Sequence, residues 1–272
     1  MLKNKFNSGN TPLFKIDIIS KIFNLPNLYI KDESKNPFGT WKDRKSEFIL
    51  NNLDSNIQEI RTITSGNFGY SLSSFLKNKK LQITSLVDKK VDHFVKQKLR
   101  EVGSEIIELD LSKKIYTSED ILSFNQKYDS IVIDVTNGYE KAYENIIKEI
   151  KDIEFDYIIC PIGSGEAFVG ILNGIKKYKY KTKLVGVKPK QTPSVADKLY
   201  RIYSPYDNFI NIHLSKDIFV FNLEENEIIE VFEKVKNFID CEYSSSVVFA
   251  VLNKLNLTKD NKVLIINSGR VI

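Results

Sequence analysis

The amino-acid sequence predicts an α/β fold of mostly parallel sheets flanked by helices. Short apolar runs of strand length alternate with helical patterns along the chain, and parallel neighbours require helical crossovers of that kind. Composition agrees, since 272 residues at 42% hydrophobic and 28% charged support a large core in one large or two modest domains. In order, the expected strands are Leu28 to Ile30, Thr62 to Thr64, Leu81 to Val87, Ile131 to Val135, Tyr157 to Cys160, Leu184 to Val187, Ile218 to Phe221 and Val263 to Ile266. Helical patterns fall between them, near 42–53, 69–78, 89–102, 117–127, 139–151, 166–178, 225–239 and 244–256. The clearest is 225–239, where Ile228, Val231, Phe232, Val235, Phe238 and Ile239 recur at steps of three and four along one face. Polar, turn-rich segments at 34–39 and 136–138 mark candidate domain crossings.

Charge and composition exclude several functions. A formal charge of +5 is dispersed among acidic residues, with no basic arm of the kind that grips nucleic acid. No apolar run approaches a membrane span, and the N-terminal residues lack an apolar core of secretory length. Cys160 and Cys241 stand far apart and form neither a disulfide framework nor a zinc spacing; Cys160 ends an apolar run and reads as a small buried residue. With only His93 and His213, a histidine metal site has little to be built from. The expectation is a cytoplasmic enzyme or binding protein acting on a small molecule, without nucleic acid, membrane or metal.

The chemistry concentrates at strand ends. Asn36-Pro37-Phe38-Gly39-Thr40-Trp41-Lys42-Asp43-Arg44 follows a short strand, bends at Pro37 and Gly39, and opens a helix whose first turn carries Thr40 and Asp43. Lys42 at such a start sits near the positive end of the helix dipole, which disfavours the ammonium and favours a nucleophilic amine. Taken alone, the pattern leaves open a solvated helix lysine with an ion-pair partner. Thr64, Ser65, Gly66 and Asn67 join hydroxyls, a flexible glycine and an amide where a strand feeds a helix, a place for a carboxylate or simply a capped turn. Ile162 leads into Gly163-Ser164-Gly165-Glu166-Ala167 and a helix, so backbone N–H groups and the helix start can hold a phosphate. A packing turn remains open there. A dinucleotide site expects an acid after the next strand, where this chain has Lys188. Ser268 follows the last strand within Asn267-Ser268-Gly269-Arg270.

These stretches, in this order, resemble the fold-type II pyridoxal-phosphate enzymes, the group of threonine synthase, cysteine synthase, the serine and threonine dehydratases and the tryptophan synthase β-subunit. The wording of 31–44 is most similar to threonine synthase, and Asn267 to Arg270 to the tryptophan synthase β-subunit. The resemblance implies two domains, a large cofactor domain at 1–36 and 138–272 and a small substrate domain at 37–137, with the cofactor in the cleft between them. It implies pyridoxal 5'-phosphate joined to catalytic Lys42 as a Schiff base. Gly163, Ser164, Gly165, Glu166 and Ala167 then hold its phosphate, Asn67 its ring hydroxyl and Ser268 its ring nitrogen, while Thr64, Ser65, Gly66 and Asn67 take the carboxylate of a small amino acid. A neutral hydroxyl at the ring nitrogen does not force the ring to stay protonated, which suits β- or γ-elimination and replacement better than transamination. The expected activity is a lyase or transferase, threonine synthase-like, cysteine synthase-like or dehydratase-like, in a homodimer or with a heteromeric partner. The other reading is a catalytically silent relative that binds a ligand or partner on this scaffold.

Several positions depart from the family's pattern. Glu166 places an acid in the phosphate loop, and Lys188-Pro189 stands where many relatives have Glu-Pro. Asn137 to Glu144 resembles the Glu-Gly-x-Lys stretch of threonine synthases with altered spacing, and Cys241 to Ser246 occupies the place of the family's Glu-Pro-Ser-Ser helix start.

Overall fold

A computed structural model describes residues 6–124, 130–191, 193–199 and 204–271. The chain divides into two compact units, one of Met1–Asn7 with Lys42–Tyr139, the other of Ser8–Trp41 with Glu140–Ile272. Each unit is an α/β layer structure with its own sheet, as the alternation of apolar runs and helical patterns requires.

The larger unit begins with strand β1 (Leu13–Phe14), helix α1 (Asp17–Ile22) and strand β2 (Leu28–Asp32). The smaller unit follows: α2 (Lys42–Asn52), β3 (Glu59–Ile63), α3 (Asn67–Leu76), β4 (Gln82–Asp88), α4 (His93–Glu101), β5 (Ser104–Leu109), α5 (Ser118–Ser123) and β6 (Val132–Asp134). The chain then returns to the larger unit with α6 (Asn145–Ile150), β7 (Tyr157–Pro161), α7 (Glu166–Lys177), β8 (Lys183–Pro189), α8 (Asp207–His213), β9 (Ile218–Leu223), α9 (Glu225–Val235), α10 (Tyr243–Ala250) and β10 (Val263–Asn267).

In the smaller unit the four strands run parallel in the order β5-β4-β3-β6. Ile60 and Ile83 pack with Ile49 of α2 and with Phe68, Leu72 and Leu76 of α3. Arg61 is buried on β3, donating to both carboxylate oxygens of Glu59, at 2.6 and 3.0 Å, and to the carbonyls of Ile121 and Leu122. A buried guanidinium is tolerated because its donors are met by acceptors.

In the larger unit six strands are ordered β1-β2-β10-β7-β8-β9, all parallel except β1. One face of this sheet packs Ile30, Ile159, Val185 and Ile265 against Ile228 and Val231 of α9 and Val247 and Val248 of α10. Each such side chain taken out of water stabilises the fold by roughly 1.5–3 kcal/mol.

Several expected elements change shape. Helix 89–102 starts at His93, because Asp92 accepts from the Phe94 amide at 2.7 Å and caps the helix there. The helix expected over 139–151 is broken into a 3-10 turn at Glu140–Tyr143 and the short α6. The cause lies on α7: a Cβ on Gly170 would come within 2.1 Å of the Glu140 carbonyl oxygen, and one on Gly174 within 2.9 Å of that of Glu144. The two glycines admit the backbone of 140–144 so closely that packing against α7 overrides the local pattern. Thr40, expected in the first turn of α2, forms instead an isolated antiparallel bridge with Gly269. The 117–127 pattern yields α5, and its last residues lie outside the described ones.

Candidate active site

Three strand ends and one turn position the candidate residues. In the larger unit, the turn Asn36–Gly39 is closed by a Gly39 amide donating to the Asn36 carbonyl at 3.0 Å. Asn36 itself is buried, accepting from the Gly9 amide and donating to the Glu33 carboxylate at 2.7 Å. Residues 39–41 then pair with the end of β10: the Trp41 amide donates to the Ser268 carbonyl at 2.9 Å, and the Arg270 amide to the Gly39 carbonyl at 3.0 Å. Trp41 is buried edge-on against Tyr143, ring centroids 5.7 Å apart. Lys42 is the next residue and the first of α2; it is half-buried, and its carbonyl accepts from Ser46 Oγ one turn on.

Thr64, Ser65, Gly66 and Asn67 lie where β3 ends and α3 begins, so Lys42 and this loop belong to the same unit. α2 and α3 touch through Ser46 and Ser71, whose hydroxyls are 2.7 Å apart. Thr64 Oγ1 accepts from the amides of Gly66 at 3.0 Å and Gly69 at 3.1 Å, closing the start of the helix. Gly66 has φ 132°, and a Cβ there would meet Val95 Cγ1 at 2.7 Å. Thr64 and Asn67 are buried and Ser65 is half-buried.

Gly163, Ser164 and Gly165 link β7 to α7, with Glu166 and Ala167 as the first residues of the helix. Gly165 is the N-cap with φ 89°, and no side chain caps the helix. A Cβ on Gly165 would meet Tyr206 Cβ at 2.8 Å, so the position is closed to larger residues. Ser204 Oγ donates to the Ser164 carbonyl and accepts from the Tyr206 amide at 3.2 Å, bracing the turn. Glu166 is buried, and its amide makes a long 3.5 Å contact to Ser164 Oγ.

β10 is the neighbour of β7, so Ser268 and the glycine turn occupy the carboxyl ends of adjacent parallel strands in the larger unit. That is where ligands of open α/β sheets bind. Ser268 is buried, its Oγ 3.0 Å from Ser245 Oγ of α10, and Ser245 Oγ also donates to the Gly269 carbonyl at 2.7 Å. Asn267 donates to Asp32 at 2.7 Å and to the Asp240 carbonyl at 3.0 Å, anchoring the strand end. Ser204 and Ser245 were not singled out as partners from sequence; the run Ser244 to Ser246 was visible, but only as a helix start.

Neither cysteine is poised as a nucleophile. Burial pushes the Cys160 thiol well above its ordinary range, and burial with the nearby Asp240, Glu242 and Asp32 carboxylates pushes Cys241 up to about 12. Among the described residues no group of three or more His, Cys, Asp and Glu could hold a metal ion, and no helix is long and apolar enough to cross a membrane.

A glycine turn at the head of a 12-residue helix, at the carboxyl end of a parallel strand, is a place where an anionic group can bind in an α/β fold. Residues 5–269 match the model of the pyridoxal-phosphate dependent enzyme family, and the chain belongs to that family. Its cofactor is therefore pyridoxal 5'-phosphate. A cysteine synthase from Buchnera aphidicola subsp. Acyrthosiphon pisum is 26% identical over 213 residues, covering 72% of this chain and 66% of that protein. Among solved structures, an O-acetylserine dependent cystathionine beta-synthase from Helicobacter pylori has TM-score 0.80 at 23% identity, covering 96% of this chain and 93% of that one. Serine racemase from Dictyostelium discoideum has TM-score 0.77 at 21% identity, covering 97% and 93%. The fold is that of the fold-type II enzymes. The site fits the cofactor on its own terms: α7 starts at a glycine N-cap with no side chain in the way, behind a turn that only glycine can make at Gly165, where a helix start favours an anion.

Proposed function

We propose that this enzyme carries out β- or γ-elimination or replacement on a small amino acid, a lyase or transferase reaction of the threonine synthase, cysteine synthase or dehydratase kind. Bound pyridoxal phosphate supplies the electron sink that lets a proton leave the α-carbon. Lys42 supplies the amine that carries the cofactor and, once released, holds the α-proton at Nζ as general base. The amides of 163–167 hold the phosphate, Asn67 the ring hydroxyl and Ser268 the ring nitrogen. Thr64, Ser65, Gly66 and Asn67 orient the substrate carboxylate, which fixes the side chain carrying the leaving group.

The observation that supports this reading is the position of Lys42, one residue beyond Trp41, whose amide is bonded to the Ser268 carbonyl. That pairing joins the residue before the amine to the strand end that bears the ring-nitrogen candidate. The test is spectroscopic: protein with added cofactor shows a visible band that borohydride abolishes. Lys42→Ala loses the band, with turnover down at least about 100-fold. Normal turnover in Lys42→Ala overturns the assignment, and a colourless protein that takes up no cofactor favours a silent binding protein. Screening O-phosphohomoserine, O-phosphoserine, O-acetylserine, serine and threonine for spectral shifts selects the substrate.

A further inference from the structure

The sequence contains two Asn-Gly pairs, Asn137-Gly138 and Asn173-Gly174. Glycine after asparagine leaves its amide nitrogen unshielded, with no Cβ to hinder its approach to the carbonyl carbon of the asparagine side chain. The fold treats the two pairs differently. Gly174 is buried inside α7, its carbonyl accepts from the Tyr178 amide at 2.9 Å, and a Cβ there would come within 2.9 Å of the Glu144 carbonyl oxygen. Helical backbone aims the residue-174 amide along the helix axis, away from the Asn173 side chain, and the packing holds it so. Asn137 and Gly138 are both exposed and lie outside any helix or strand. Gly138 has φ 95°, and a Cβ on it would meet nothing within 4 Å.

We propose that Asn137 is a site of spontaneous covalent modification, converting to isoaspartate through the Gly138 amide, and that the change loosens helix α2. The Gly138 nitrogen gives its proton to solvent base and bonds to Asn137 Cγ. The bond from Cγ to Nδ2 breaks, and the amide nitrogen takes up a proton and departs as ammonia, leaving a cyclic imide. Water then opens the imide at either carbonyl, giving aspartate or, with the chain routed through the side-chain carbon, isoaspartate. Water is the co-reactant, and nothing is oxidised or reduced. The pair is bracketed by two anchors on α2. Lys45 Nζ donates to the Thr136 carbonyl at 2.9 Å and lies 5.2 Å from the centroid of the Tyr139 ring, which Phe48 meets edge-on at 6.4 Å. Thr136 is fixed in turn, donating to Asp134 Oδ1 at 2.6 Å and accepting from the Ile63 amide at 3.0 Å. Isoaspartate adds one backbone carbon between Thr136 and Tyr139, so their holds on α2 no longer match in spacing. α2 is the helix that opens with Lys42.

The test ages the holoenzyme in mildly alkaline buffer, digests it and weighs the peptides. The peptide holding residues 137 and 138 is expected to gain the mass of amide-to-acid conversion and to accept a labelled methyl group from an isoaspartyl methyltransferase. The peptide holding 173 and 174 stays unchanged until the protein is denatured before ageing. Asn137→Gln and Asn137→Ser each remove the reactive pair and abolish the signal. Amide hydrogen exchange over 42–52 rises at least about threefold in aged wild type and not in aged Asn137→Gln. An unmodified 137–138 peptide, or one modified no faster than 173–174 in the folded protein, overturns the site. Modified protein whose 42–52 segment exchanges as slowly as fresh protein overturns the effect on α2. Both readings are independent of the reaction the enzyme performs.

Discussion

The starts of α3 and α7 both follow the carboxyl end of a parallel strand and both begin with a glycine of positive φ, yet their donors are disposed differently. At α3 the hydroxyl of Thr64 accepts two of the amides that could bind a ligand. At α7 the N-cap glycine offers no side chain, Ser164 Oγ makes only a long 3.5 Å contact with the Glu166 amide, and the loop is braced from outside by Ser204 on the Ser164 carbonyl. A capped start is a rigid platform that binds through the donors left over, here including the side chains of Ser65 and Asn67, and suits a singly charged carboxylate. An uncapped start keeps its amides and dipole for the ligand and suits a dianionic phosphate.

That contrast can be broken by substitution, and the largest effect is expected at Gly165. Gly165→Ala forces a side chain into a left-handed backbone and against Tyr206, 2.8 Å away. The backbone strain alone costs roughly 1–3 kcal/mol. Cofactor affinity, measured by fluorescence titration, should fall at least about tenfold, the equivalent of 1.4 kcal/mol; unchanged affinity removes the glycine turn from the phosphate site. Thr64→Val is expected to act on the other side of the comparison. It lowers stability by about 0.5–2 kcal/mol through the lost cap and raises KM for the amino acid, with cofactor affinity intact. Thr64→Ser should restore both. A loss of cofactor affinity in Thr64→Val equal to that in Gly165→Ala would erase the distinction between the two starts.

A smaller effect separates the two units by pH. Both cysteines lie in the larger unit. For Cys241 the thiol rises from the ordinary 9.0 to about 12 on folding, because burial disfavours the thiolate and the neighbouring carboxylates repel it. A raised folded value means the folded state holds the proton more tightly. The resulting stabilisation is complete below about pH 9 and is lost as pH rises through about 12. Amide hydrogen exchange between pH 9 and 11 should therefore show the larger unit loosening before the smaller. Simultaneous loosening would assign the alkaline limit to groups other than these thiols.

Much of this was legible in the sequence, for reasons that differ by residue. Runs such as Val263 to Ile266 are buried on both faces and read as strands without alternation. On α9 the spacing located Ile228, Val231 and Val235 correctly, but the helix stops at Val235 and Phe238 stays 39% exposed, since nothing in a periodic pattern marks where packing ends. β5 was missed because it is an edge strand bearing Glu105 and Glu108 among its apolar residues. β1, two residues long, carries no pattern at all. Lys42 and the glycine turn announced themselves through local chain chemistry. The hydroxyl of Ser245 did not, because its meaning depends on a partner 23 residues away and on a carbonyl whose position only the folded chain defines.

The bridge between Thr40 and Gly269 has a consequence for how the protein is made. The Gly39 carbonyl and the Trp41 amide find partners in Arg270 and Ser268, and Thr40 Oγ1 reaches the Ser268 carbonyl, some 228 positions downstream. On the ribosome the segment leading to Lys42 must therefore wait, undocked and open to proteases, through most of translation. Pulse-labelled nascent chains cut near Phe38 until residue Ser268 has emerged from the exit tunnel, and resistant thereafter, would display that delay directly.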